Sequence, residues 1–372
     1  MTGDLFVGLM SGTSVDAVDC ALVRCDGKAT TLLATHEHAI PTVIREQIAD
    51  ISHPGANEIE RMGQLDRELG RLFADACLAL LESSDTHPGA IRAIGSHGQT
   101  IRHHPPSATT AASNAFTLQI ADPGTIAECT GITTVTDFRR RDVAAGGQGA
   151  PLAPAFHAAA FGAQDRNRAI VNIGGIANVT LLKGMQLVQG FDTGPGNTLL
   201  DHWIGRHRGE HCDRSGQWAG SGEVDQALLS QLLQHGYFAL TGPRSTGKEA
   251  FNMAWLDGQL ADRKIIPVDV QATLAELTAA SIAGAITGSG LSVDGLYICG
   301  GGAHNDDLLQ RLQRRMASVT VDSTAALGLD PDWVEAVTFA WLAHRTLEGL
   351  PGNAPVVTGA AGERVLGGVY PR

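Results

Sequence analysis

Twice in this chain an apolar run turns on a short stretch of glycine and small polar residues and returns as a second apolar run, roughly half a chain further on. The first case spans residues 6–23, where Ser11, Gly12, Thr13, Ser14 and Asp16 interrupt the apolar positions. The second spans residues 169–182, with Gly174 and Gly175 at the break. Strand, glycine bend and returning strand, made twice, predict a duplicated α/β chain with one hairpin in each half. Glycine at such a bend lets backbone N–H groups approach an anion, and Ser or Thr adds donors without crowding it. Carboxylates would repel bare phosphate, so Asp16 and Asp19 point to a magnesium ion between protein and phosphate. A lone Ser-Gly-Thr-Ser hairpin reads as an ordinary polar turn; recurrence is what moves the reading to phosphate. A third glycine element, Gly300, Gly301 and Gly302, follows an apolar run and precedes a helical pattern over 307–316. The triplet would leave backbone bare for a flat ring or a phosphate, with the positive end of the helix behind it. Three such elements in this order predict a nucleotide gripped between two halves.

At 372 residues the chain is long enough for two domains of ordinary size. The change of half is placed near the glycine stretch 146–151. This gives an N-terminal half of residues 1–140, a C-terminal half of residues 141–344, and a closing segment from about 345 to 372 that packs back on the first half. A net charge of −12 argues against a broad nucleic-acid surface, which needs clustered Lys and Arg. No apolar run approaches the roughly 20 residues of a membrane helix, and no basic region precedes the first strand, so a soluble cytoplasmic protein is expected. The six cysteines show no Cys-x-x-Cys spacing and read as reduced core residues.

Apolar steps of three and four predict helices over 41–52, 57–83, 273–288 and 332–348. Strands are expected at 90–95, 116–120, 133–138 and 364–370, with a loop at 105–115 and a helix from about 123 capped by Asp122. Gly242 to Glu249 matches a phosphate-loop pattern until Glu249 stands where Ser or Thr should bind magnesium. It is better read as a surface helix start capped by Ser245 or Thr246; the alternative is a cationic tip that contributes Lys248 to a substrate or nucleotide lobe.

The motifs, taken in order, resemble those of the anhydro-N-acetylmuramic acid kinases, a family within the sugar-kinase, hexokinase and actin superfamily. They are Met-Ser-Gly-Thr-Ser-x-Asp at 10–16, Ser-His-Gly-Gln-Thr at 96–100, Ala-Asp-Pro-Gly at 121–124, Asp-Phe-Arg-x-x-Asp at 137–142 and Gly-Gly-Gln-Gly-Ala-Pro-Leu at 146–152. The second half adds Asn-Ile-Gly-Gly-Ile-Ala-Asn at 172–178, Phe-Asp-Thr-Gly-Pro-Gly-Asn at 191–197, Ser-Thr-Gly-Lys-Glu-x-Phe-Asn at 245–252, Cys-Gly-Gly-Gly-Ala-His-Asn at 299–305 and Pro-Asp-Trp-Val-Glu-Ala at 331–336. The set covers nearly the whole chain. The departures are Ala17 where the family often has glycine and Lys248 where arginine is common.

The resemblance implies a two-domain actin-like (ribonuclease H-like) ATPase fold, its duplicated halves around a central nucleotide cleft. It implies a kinase that opens the 1,6-anhydro bridge of an anhydromuramic acid with water while ATP phosphorylates O6, using Mg2+. Asp192 is implied as the base for that water and Glu335 as its helper on a sugar hydroxyl. Gly12, Thr13, Ser14, Val15, Asp16, Ala17, Val18 and Asp19 would hold phosphates, with Asp16 on the metal. Gly174 and Gly175 would form the second phosphate hairpin, and Gly300 to Gly302 would meet the adenosine. Arg139 and Arg141, on one face of a continued strand, could hold the lactyl carboxylate, and His97, Thr100 and Asp122 are further sugar contacts. Each has a plainer alternative: a cap for Asp192, Asp122 and His97, a dipole partner for Glu335, a solvated basic edge for the arginines. The partner is then a small molecule, with no nucleic acid and no membrane, and a homodimer is left open. The competing function is an actin-like conformational or assembly ATPase without sugar chemistry, which would need neither Asp192 nor a basic substrate patch.

Overall fold

The computed structural model describes every residue except 1, 2, 13, 28, 107–109, 241–243, 245, 248, 249 and 262. The chain divides into two compact units, Met1–Ala160 with Trp333–Arg372, and Phe161–Asp332. The first change of unit comes later than residue 140, and the return comes before residue 345. The physical reason lies in Asp142, whose buried carboxylate accepts hydrogen bonds from Asn353 Nδ2 (2.7 Å), Thr358 Oγ1 (2.8 Å) and the Gly149 N–H (2.8 Å). The glycine stretch is thereby tied to the closing segment of the first unit.

In the first unit the strands are β1 (Asp4–Met10), β2 (Ala17–Cys25), β3 (Thr30–Ala39), β4 (Ile91–Ser96), β5 (Gln99–His104), β6 (Phe116–Ile120) and β7 (Thr134–Thr136). The main sheet runs β3-β2-β1-β4-β7, with a last strand Gly368–Tyr370 beyond β7, while β5 and β6 pair separately. β1 is antiparallel to β2 and parallel to β4; β2 is antiparallel to β3, and β4 parallel to β7. The apolar stripe of the helix Glu58–Ser83, including Leu65, Leu69, Phe73 and Leu80, is buried against this sheet. The helix Val334–Leu347 lies so close to the sheet that a Cβ on Gly8 would fall 1.8 Å from the Ala336 carbonyl oxygen. One on Gly95 would fall 2.0 Å from that of Phe339. These two glycines seat the helix that carries Glu335.

The second unit repeats the plan with β8 (Asn167–Ile173), β9 (Ile176–Lys183), β10 (Gln186–Pro195), β11 (Gly295–Cys299) and β12 (Thr320–Ser323). Its order is β10-β9-β8-β11-β12, with β8 and β10 antiparallel to β9 and β11 parallel to both β8 and β12. Order and directions match those of β3-β2-β1-β4-β7. The duplicated α/β architecture expected from the paired hairpins is therefore present in full.

Three local expectations are corrected. The strand at 133–138 stops at Thr136, because Asp137 turns into the left-handed region (φ 61°) and a helix, Phe138–Ala144, follows. The closing strand covers only Gly368–Tyr370. The helix after residue 250 begins at Met253 and is capped by the Asn252 side chain on the Trp255 N–H, not by Thr246. Ser245 and Lys248 lie outside the described residues.

Candidate active site

The two hairpin bends are built differently. In the first unit, residues 11–16 separate β1 from β2, and Val15 takes a φ of 60°, unusual for a β-branched residue. A Cβ on Gly12 would meet no heavy atom within 4 Å, so space is open at that backbone. Ser11 is turned inward, its hydroxyl on Gln99 Oε1 at 2.7 Å. Ser14 and Asp16 are exposed, while Ala17, Val18 and Asp19 belong to β2, the Val18 side chain in the core. Thr13 lies outside the described residues. The Asp16 carbonyl accepts the Ile40 N–H at 2.9 Å, and its side chain is 69% exposed with Arg45 at 3.5 Å.

Among the described residues no three His, Cys, Asp or Glu side chains form a metal cage. One exposed carboxylate at an open bend fits an ion that keeps its waters and takes most other ligands from phosphate, as Mg2+ does.

In the second unit only Gly174 and Gly175 separate β8 from β9. The carbonyl of Gly174 accepts the Asn197 N–H (2.8 Å), and that of Gly175 accepts the N–H groups of Gly196 (2.9 Å) and Thr198 (3.1 Å). The bend is thus locked to the end of β10, and a Cβ on Gly174 would meet only the Ile176 carbonyl oxygen, at 3.8 Å. Within the glycine triplet, a Cβ on Gly300 would strike Asn172 Oδ1 (2.3 Å) and one on Gly302 would strike Ile173 (2.4 Å). Those two are glycine because β8 presses on them; Gly301 alone presents open backbone, with Asn197 Nδ2 at 3.8 Å.

Asp192 lies in β10 opposite Asn178, where the register slips before Gly194. It does not cap the helix Thr198–Arg208, whose N-cap position is Asn197. Its Oδ2 accepts the Thr246 N–H at 2.9 Å, and its main chain is held by Tyr237 and Arg244, neither of which the sequence had marked.

On the first unit, His97, Arg139 and Glu335 come together. Arg139 donates to His97 Nε2 from Nε (3.1 Å) and Nη2 (2.9 Å), and to the Gly149 carbonyl from Nη1 (2.8 Å). With Nε2 accepting, the proton of neutral His97 belongs on Nδ1. Burial, then the Arg139 charge, pushes the His97 pKa well below its usual value. Burial also lowers Arg139 to about 10, against the pull of Glu335 and Asp142. Glu335, half-buried in the first turn of its helix, is raised by burial and lowered in part by Arg139. Arg141 does not join them: two residues along a helix it faces solvent, which overturns its placement on a shared strand face with Arg139. Asp122 caps the helix Pro123–Thr130 through the N–H groups of Gly124 and Thr125, both at 3.1 Å, and Thr100 Oγ1 accepts from Gln119 Nε2 at 3.1 Å.

Two glycine hairpins at the same place in two sheets of one strand order define a duplicated α/β nucleotide-binding fold. The anhydro-N-acetylmuramic acid kinase family model matches residues 4–372, and the chain belongs to that family. It is 52% identical over 367 residues to an anhydro-N-acetylmuramic acid kinase of Pseudomonas paraeruginosa, covering 98% of each chain. It is 51% identical over 372 residues to one of Saccharophagus degradans, covering 100% of each. Among solved structures, the Acidaminococcus fermentans (R)-2-hydroxyglutaryl-CoA dehydratase component A aligns with 91% of this chain and 96% of its own, at 11% identity and a TM-score of 0.47. The chain is an ATP- and Mg2+-dependent kinase of cell-wall recycling, which opens 1,6-anhydro-N-acetylmuramic acid with water and phosphorylates O6.

Proposed function

We propose that Asp192 is the general base of this reaction. It takes a proton from the water that adds to the anomeric carbon; the bond from that carbon to O6 breaks, and O6 leaves with the γ-phosphoryl group of ATP as ADP is released. When bound, Mg2+ supplies charge neutralisation at the phosphates, with Asp16 as its protein ligand. Glu335 binds a sugar hydroxyl and helps orient the water, and Arg139 offers the cation for the lactyl carboxylate, with His97, Thr100 and Asp122 lining the sugar. Residues 12–19, Gly174, Gly175 and the Gly300 to Gly302 turn, through its open Gly301 backbone, meet the nucleotide. Glycoside opening ordinarily calls for an acid on the leaving oxygen; here phosphoryl capture of O6 takes that place.

The observation that carries the reading is the fixed carboxylate of Asp192 on the strand whose end locks the Gly174–Gly175 bend. Asp192→Asn should abolish product formation while ATP affinity stays within about twofold; equal loss of both would move Asp192 to metal or structural duty. Dependence on ATP supports a cytoplasmic setting, and the net charge of −12 speaks against nucleic acid as a partner. A homodimer is the assembly to test, by sedimentation.

A further inference from the structure

We infer that Arg244, together with Tyr237, is a positioning residue that sets the angle of the Asp192 carboxylate. The inference rests on Asp192 being the base. β10 is the edge strand of its sheet, so its outward peptide groups need partners from elsewhere. At Asp192 both are taken by one segment. The Asp192 N–H donates to the Arg244 carbonyl (3.1 Å), and the Asp192 carbonyl accepts from Tyr237 Oη (2.6 Å) and Arg244 Nε (3.2 Å). Two residues on, the Thr246 N–H reaches the carboxylate itself.

The same arginine is fixed on the other side of the strand. Its guanidinium lies 4.7 Å from the Phe191 ring centroid and 5.5 Å from that of Tyr237, and also donates to the Leu240 carbonyl. Phe191 and Asp192 are successive strand residues, so their side chains leave opposite faces. Arg244 and Thr246 therefore straddle the edge, the one anchored to a ring on one face and the other to the carboxylate on the opposite face. Burial and the neighbouring Asp192 charge push the Tyr237 pKa up, so its hydroxyl stays a donor.

The need for such a clamp is local. The register slips between Asp192 and Gly194, and Gly194 takes a φ of 143°, so the regular ladder does not fix this stretch. A base must be held within a fraction of an ångström to act on one water, and small misplacement costs rate more than binding.

The test is steady-state kinetics of the full chain carrying Arg244→Met or Tyr237→Phe, with ATP binding and thermal unfolding measured alongside. Methionine keeps the apolar stem on Phe191 and borders an existing cavity of about 460 Å³, so folding is expected to survive. The expected result is a fall in kcat of about tenfold or more for Arg244→Met, and a smaller fall for Tyr237→Phe, with KM for sugar and for ATP within twofold. If Arg244→Met does not fold, Tyr237→Phe, which removes a single oxygen, decides alone. A kcat within twofold of wild type, or a loss confined to KM, overturns the positioning role while Asp192→Asn stays inactive. Full activity in Asp192→Asn would instead remove the base reading, and this inference with it.

Discussion

The two hairpins share a place in the same strand order and solve different problems. In the first unit the bend is wide, with an exposed carboxylate and open backbone at Gly12; in the second it is two glycines long, and its carbonyls are bound by the start of a helix. The wide bend can meet a metal-bound phosphate with side chains. The tight one offers backbone only, and its rigidity serves the neighbouring strand that bears Asp192. Duplication has therefore kept the frame while the two bends have diverged in length and exposure.

That contrast can be broken at several points. The largest effect is expected from Gly8→Ala, whose Cβ would collide with the Ala336 carbonyl beneath the helix of Glu335. Such overpacking against backbone should cost about 3 kcal/mol or more, visible as a collapsed melting temperature, whereas Gly12→Ala should melt as wild type and weaken ATP binding.

Next in size is a difference in acid response between the units. In the first unit burial lowers His97, lowers His103 to about 4 and His157 to about 3, and lowers His344. Above about pH 6.5 these are neutral in both folded and unfolded chain; below it only the unfolded chain takes up the proton, so stability falls as pH falls. Each fully shifted histidine is worth roughly a factor of ten per pH unit in the unfolding equilibrium. In the second unit, burial of Glu276 is outweighed by hydrogen bonds from Arg311 and Arg315, which hold its pKa below the usual carboxylate value. Its stabilisation is lost only as pH drops through that lower range, and His207, lowered by burial and by Arg206, is exposed. Asp66, Asp137 and Glu335 in the first unit are raised and act in the opposite sense, but only as pH enters the carboxylate range. Between about pH 6.5 and 5.5, hydrogen exchange corrected for intrinsic rate should therefore accelerate in the first unit before the second. Uniform acceleration would refute the division.

Asp16→Asn should raise the Mg2+ concentration needed for half-maximal turnover by about tenfold with unfolding unchanged. The smallest effect is expected for Arg141→Ala, within about twofold of wild type for both KM values, because that side chain faces solvent.

Much of this was legible beforehand because it is periodic or local. The hairpins, the long helix Glu58–Ser83 and the Asp122 cap each announce themselves within a few residues. The arginine run is not legible in the sequence, because three basic residues after an apolar strand carry no sign that Asp137 turns left-handed. The contacts that hold Asp192 are hidden for another reason: Arg244 lies 52 residues along the chain, in a segment whose local pattern resembles a phosphate loop and carries no sign of a partner on β10. Asp142, a single acid in a short helix, gave no hint that its partners would be Asn353 and Thr358.

Those last contacts bear on how the molecule is made. The second unit is one uninterrupted stretch of chain, whereas the first is finished only by residues from Trp333 onward. During synthesis from the N-terminus, the later unit has all of its own sequence while the earlier one still waits for the helix Val334–Leu347 and for Asn353 and Thr358, whose side chains donate to the Asp142 carboxylate. A chain that ends at Asp332 and has left the ribosome should accordingly resist protease in its second unit and yield in its first.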